Sequence, residues 1–153
     1  MRATDTPADL EAHLGYWLRL VSNSVSHGFA RKLESHGVTV AEWVVLRMLW
    51  DAGAIAPSQL AERIGMTKGA ITKLADRLLK KRLIDRVSNA DDKRAQTLSL
   101  KASGRSIVPR LAALADANEA ECFDALSTNE RRLLERLLRK VALARDLTGA
   151  PTD

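Results

Sequence analysis

The 153-residue chain carries 24 Lys+Arg against 19 Asp+Glu, 46% hydrophobic residues and a single cysteine. Its length allows one domain, or one lobe with a helical part that shares its core. The lone cysteine excludes an intramolecular disulfide, and no stretch approaches the roughly 18 uninterrupted apolar residues of a membrane span. With no basic and apolar export signal at its start, the chain is expected in the cytoplasm. Residues 58–101 hold 11 Lys+Arg against 5 Asp+Glu and the remainder 13 against 14, so the whole basic excess is central. A basic centre between neutral flanks is the electrostatic footprint of phosphate binding rather than of general solubility.

In chain order, Ala3–Pro7 reads as a loose end. Leu10, Leu14, Trp17, Leu18, Val21 and Val25 then recur at helical spacing. They predict a long amphipathic helix over roughly residues 8 to 35, closed by the turn signal His36-Gly37. Thr39 with Glu42 forms a capping-box pair ahead of a second helix that carries Trp43, Leu46, Met48, Leu49 and Trp50 and ends at Gly53. Ala56 stands where a cap would be before Pro57, so no side chain caps the next short helix, Ser58 to Ile64. Ser58 is its nearest hydroxyl for a phosphate.

Gly65-Met66 breaks this helix and Thr67 caps another, the punctuation of a helix-turn-helix. In the new helix Ile71, Leu74, Ala75 and Leu78 make an apolar stripe. Gly69, Thr72, Lys73, Asp76 and Lys80 fall on the opposite face, and small, hydroxylic and cationic side chains suit a helix entering a major groove about 12 Å wide. An ordinary solvated helix is the alternative. On the DNA reading, Thr72 and Lys73 reach base edges while Thr67, Lys68 and Gly69 lie near the backbone, where helix N-terminal amides favour phosphate. Ile84–Ser88 and Gln96–Leu100 read as two strands of a hairpin, or wing, with a polar, basic tip over Asn89–Ala95. Arg94 at that tip can follow the phosphates into the minor groove, and Asp92, two residues away on the same side of an extended chain, can orient its guanidinium. A solvated tip with a surface ion pair of little energetic value is the competing reading.

Beyond the wing, Ser103 to about Ala125 is helical in pattern, with Ile107, Leu111, Leu114 and Ala115. Ser127 and Glu130 form a further capping box ahead of Leu133, Leu134, Leu137, Leu138 and Val141. Thr148–Asp153 reads as a second loose end. The helices at the two ends of the chain carry more leucine and valine than one lobe covers, so a homodimer is expected. A two-fold dimer sets two recognition helices in successive major grooves about 34 Å apart, on a pseudo-palindromic double-stranded operator.

The run from Leu60 to Leu100, with Leu126–Arg131 downstream, resembles the MarR/SlyA family of bacterial winged-helix regulators. Its most specific part is Arg77-Leu78, Leu83-Ile84, Arg86 and Asp92-Lys93-Arg94, which matches the D-x-R wing signature of that family. The resemblance implies a mostly α fold with a small β-hairpin: one MarR-type domain over 1–153, with dimerisation helices at 8–36 and 103–147 and a winged helix-turn-helix lobe at 39–101. It adds Arg77 and Lys93 to the DNA-contacting set, and it implies a nucleoid-associated repressor released by a small aromatic or phenolic ligand. Two positions depart from the family pattern: Arg82 stands where glycine is usual, and Leu100-Lys101 where Leu-Thr is usual. A non-glycine residue at Arg82 works against a left-handed helix cap.

For such an effector, a small aromatic anion, Ser26, His27, Trp43 and Arg47 are the candidate lining, an indole wall beside a guanidinium. Core packing for Trp43 and a structural pairing for Arg47 compete with that reading. Three histidines and one cysteine show no close metal-ligand spacing, so neither metal nor cofactor is expected. Cys122, flanked by Glu119 and Glu121 and no cation, reads as a buried, inert thiol. No nucleophile–base pairing, carboxylate pair or glycine-rich phosphate loop supports an enzyme. The alternative left open is a non-specific architectural DNA-binding protein.

Overall fold

The computed structural model describes residues 6–88 and 96–152. Six α-helices and a three-stranded antiparallel sheet follow in the order α1 (Leu14–Glu34), α2 (Val40–Ala52), β1 (Ala54–Ile55), α3 (Pro57–Ile64), α4 (Lys68–Lys80), β2 (Ile84–Ser88), β3 (Gln96–Leu100), α5 (Ala102–Cys122) and α6 (Thr128–Ala144). The mostly helical fold with a β-hairpin is therefore as the sequence predicts. Strand order is β1-β3-β2, with Ile55 opposite Leu98 and Arg86 opposite Leu98 on its other side. β1 is too short to leave a periodic signal in sequence, yet its Ile55 is buried and closes the sheet edge over the core.

The first helix starts later than its apolar spacing predicts. Leu10–Ala12 is a separate 3-10 turn, and His13 is extended (φ −99°, ψ 129°). The Trp17 indole Nε1–H donates to the Glu11 carbonyl at 2.9 Å, so a side chain captures an acceptor that a continuous helix would have used. At the other end, α5 stops at Cys122 rather than near Ala125. The Phe123 carbonyl accepts from Leu126 N–H and from Arg131 Nε, which turns the chain into α6. Ending there leaves Cys122 half-buried at the last turn instead of fully enclosed.

One core, built on Leu33, Leu46, Leu49, Leu60, Ile71, Leu78, Ile84, Leu98 and Leu111, joins α1, α2, the winged segment and α5. By contrast, α6 buries no residue, and Leu14, Leu18, Leu137, Leu138 and Val141 are exposed. Helix α6 is held at its start by the predicted capping box, in which Glu130 N–H donates to Ser127 Oγ and Ser127 N–H to the Glu130 carboxylate. Those bonds hold the Glu130 carboxyl below its usual range. The cap is therefore complete above the unfolded carboxylate range and is lost as pH falls through the lowered folded value.

Two local contacts set how the lobe sits on α5. Arg82, in the place of a family glycine, adopts the left-handed conformation all the same (φ 58°). Leu83 N–H reaches the Leu78 carbonyl and Arg82 N–H the Leu79 carbonyl, the paired bonds of a Schellman cap. The Ser103 hydroxyl donates to the Arg82 carbonyl and so holds the residue there. Lys101, the other departure, is the α5 N-cap residue and supplies no side-chain cap; the helix start is fixed instead by Lys101 N–H on the Leu83 carbonyl and by Gly104, where a Cβ would overlap that same carbonyl.

Glu42 departs from the capping-box expectation. Thr39 Oγ1 does accept from Glu42 N–H, but the Glu42 carboxylate, 1% exposed, turns inward to accept from Lys81 Nζ at 2.6 Å and from the Thr39 hydroxyl. The start of α2 is thereby tied to the end of α4. Glu42 is buried while Lys81 is about a third exposed, so removing the lysine strands a buried carboxylate and costs up to about 3 kcal/mol, whereas removing both together costs less. Lys81→Met is expected to lower stability on that scale and Glu42→Gln/Lys81→Met to recover part of the loss, as read by urea unfolding. Additive losses in the double variant would show that the pair does not fix this junction.

Candidate nucleic-acid interface

Helix α4 presents two faces. Ile71, Leu74, Ala75 and Leu78 are buried, and Lys68, Gly69, Thr72, Lys73, Asp76, Arg77 and Lys80 are exposed. The turn before it is built by Gly65 in the left-handed region (φ 81°), whose N–H caps Ala61, and by Thr67, whose hydroxyl oxygen accepts from Ala70 N–H at 3.1 Å. Thr67 satisfies one donor of the first turn; the amides of Lys68 and Gly69 have no intrahelical acceptor and stand at the positive end of the helix. Ser58 lies exposed in the first turn of α3, on the same lobe.

The residues differ in how free they are. Thr72 Oγ1 donates to the Lys68 carbonyl at 2.9 Å, so toward an outside partner it offers lone pairs and its methyl group. Lys73, Arg77 and Lys68 are exposed cations on one helix. Asp76, read in sequence as one more outward residue, accepts from Arg86 Nη2 at 3.0 Å and links α4 to β2. That link has no sequence signal, since it joins residues ten apart on a helix and a strand. Asp92, Lys93 and Arg94 lie outside the described residues.

The four residues read as an effector lining do not converge. A cavity of about 300 Å³ between α1, α2 and α5 is lined by Ser26, Phe29, Trp43, Asn118 and Glu119, with Pro151 from beyond α6. Phe29 and Trp43 meet edge to face at 6.2 Å. His27, one residue from Ser26 on α1, faces solvent because the helix turns it about 100° away. Arg47, one turn beyond Trp43, pairs with Asp51 at 2.8 Å. The guanidinium beside the indole is thus spent on its own helix, and the charged group on the cavity wall is Glu119. Asn118, missed in sequence, is buried, donates to the Val25 carbonyl and crosses α5 to α1 where Gly28 leaves room for it.

Helix-turn-helix, antiparallel wing strands and an exposed, cationic second helix define a winged-helix DNA-binding protein. Residues 38–95 match the MarR family model. The multiple antibiotic resistance protein MarR of Escherichia coli (strain K12) is 29% identical over 129 residues, 84% of this chain and 90% of that protein. The HTH-type transcriptional repressor MdtR of Bacillus subtilis is 36% identical over 87 residues, 57% of this chain and 56% of MdtR. The crystal structure of a mutant E. coli MarR complexed with operator DNA superimposes with a TM-score of 0.75 at 29% identity, covering 84% of this chain and 92% of that one. Over residues 38–95 and in its fold, the chain resembles the MarR family of winged-helix DNA-binding regulators. Among the described residues no cluster of His, Cys, Asp or Glu could hold a metal, and no helix is long and apolar enough to cross a membrane.

Gly69 separates packing from recognition. A Cβ at this position meets nothing within 4 Å, and its φ is not left-handed, so the fold does not require glycine. Gly69→Ala should raise stability by up to about 1 kcal/mol through helix propensity. If a phosphate approaches the bare backbone here, the same substitution weakens DNA binding. Unchanged affinity in a fluorescence-anisotropy titration would place Gly69 away from the contact.

Proposed function

We propose that the chain is a homodimeric, sequence-specific transcription regulator, a repressor that binds a pseudo-palindromic operator and is released by a small aromatic ligand. The observation that carries the reading is α4: one helix whose apolar stripe is buried while its opposite face gathers Lys68, Gly69, Thr72, Lys73 and Arg77, the cations making no ion pair among the described residues. In this reading Thr72 and Lys73 meet base edges in the major groove. Ser58, Thr67, Lys68 and Gly69 hold phosphates, and Arg77 adds a cation further along α4. In the wing, Lys93 and Arg94 follow the backbone and Asp92 orients Arg94. The domain assignment follows: a winged lobe over 39–101, with the helices of 8–36 and 103–147 pairing two copies.

The dimer is supported by apolar surface left uncovered among the described residues. Leu14, Leu18, Val21, Leu137, Leu138 and Val141 line an open groove of about 570 Å³ between α1 and α6. A second copy buries it. The effector reading rests on the cavity beside Trp43. Its wall is apolar, with Ser26 and Asn118 for hydrogen bonds and Glu119 at the rim, which suits a neutral ring with a hydroxyl or an amine better than the carboxylate expected from sequence.

Competition of genome-selected operator fragments against bulk DNA at fixed salt tests the reading directly. A regulator shows a specificity ratio of about 10³ or more, and an architectural protein a ratio near one. Lys73→Ala should cost about 1–3 kcal/mol and relax preference at one operator position; a uniform loss over all sequences would make Lys73 a phosphate contact. Leu137→Glu should shift the sedimentation of the protein from dimer to monomer and weaken operator binding with it. A dimer that survives this substitution would move the interface elsewhere.

A further inference from the structure

The segment beyond α6, read in sequence as a loose end, is tied to the winged lobe. Helix α6 ends in a Schellman cap on Asp146 (φ 50°), with Leu147 N–H on the Ala142 carbonyl and Asp146 N–H on the Leu143 carbonyl, and the chain turns back. Gly149 (φ 92°) then lies against Ile64 and Gly65, close enough that a Cβ would sit 2.8 Å from the Ile64 carbonyl oxygen. Ala150 N–H donates to that same carbonyl at 3.1 Å. One residue on, Pro151 forms part of the wall of the cavity that also holds Phe29 and Trp43.

Ile64 is the last residue of α3, and Gly65-Met66 is the turn that sets α3 against α4. A ligand in the cavity and the turn of the helix-turn-helix are therefore joined by two adjacent residues. We propose that residues 147–152 are a strap through which the cavity controls the turn: a ring that fills the cavity displaces Pro151, draws Ala150 off the Ile64 carbonyl and frees the α3–α4 turn from its outside restraint. The proposal rests on the cavity being the effector site. With the strap seated, α4 is held for the groove; with it displaced, the turn loosens and operator affinity falls. The strap explains why the last carbonyl of α3 takes its partner from a segment more than eighty residues away, and why a glycine stands where the backbone approaches it.

Two variants break the contact by different means: Gly149→Ala through the backbone overlap and the left-handed φ, and Ala150→Pro through loss of the donor. Both lie outside the core, so the thermal midpoint should move by no more than a few degrees. In the full-length protein, phenol serves as the neutral aromatic probe. Binding is read by the shift of the Trp43 indole resonance, strap release by hydrogen exchange of the Ala150 amide, and operator affinity by anisotropy. In the unchanged chain phenol is expected to shift Trp43, expose the Ala150 amide and weaken operator binding about 5-fold or more. The two variants should show the weakened affinity without phenol, still bind phenol, and respond no further. An Ala150 amide that stays protected while phenol occupies the cavity would overturn the strap and leave the cavity reading intact. No phenol binding at all would sink the cavity reading, and variants with unaltered operator affinity would sink the strap whatever phenol does.

Discussion

A buried carboxylate with one cationic partner governs the geometry of the lobe. The buried Glu42 carboxylate accepts from Lys81 Nζ at 2.6 Å, and Lys81 stands immediately after α4. The pair fixes where the end of α4 meets the start of α2. From that junction the chain has little freedom: the Schellman cap at Arg82 reverses it into β2, β2 pairs with β3, and β3 delivers Lys101 to the Leu83 carbonyl at the start of α5. Helix α4, the β2–β3 pair and α5 thus share one short stretch, residues 78–83, as their common anchor. The Lys81 ammonium also reaches the Gly37 carbonyl, so the turn after α1 belongs to the same junction.

The two departures from the family pattern show how a constraint can outlive the residue that usually meets it. The left-handed position after α4 is required by the cap's hydrogen bonds, and a tertiary bond from Ser103 helps hold Arg82 in it. The cost of a side chain in that region, about 1–2 kcal/mol, is set against a contact that glycine would not need. Lys101 likewise leaves α5 without a side-chain cap, and close packing at Gly104 takes over the role. Neither change touches the exposed face of α4.

The split between a well-packed lobe and an uncovered pair of helices carries the functional argument. Every core residue belongs to α1, α2, the winged segment, α5 or the turns between them, while α6 contributes none. Among the described residues α6 leaves Leu133, Leu137, Leu138 and Val141 exposed, the surface on which the proposed pairing of two copies rests. The cavity beside Trp43 lies on the side of α2 facing α1 and α5, within reach of both the uncovered helices and the lobe. The Asn118 side chain crosses from α5 to α1 beside this cavity, so the cavity and the packing of the two helices are coupled.

Local physics made much of this legible in the amino-acid order. Apolar residues at helical spacing placed α2 through α6, Thr67 and Ser127 marked starts, Gly65 marked a turn, and the charge balance located the basic surface. These signals act over one or two helical turns, and such terms survive into the fold. Tertiary structure alone decided the partners across distance. It paired Glu42 with Lys81 in addition to its Thr39 cap, Asp76 with Arg86, and Asn118 with Val25, and it seated Ala150 on Ile64. It also turned His27 and Arg47 away from Trp43, because helical spacing puts residues on a face but does not say which neighbour a flexible ionic side chain will find. A guanidinium with a carboxylate one turn away satisfies itself locally, and a backbone amide in a polar tail finds its acceptor only where two distant segments meet.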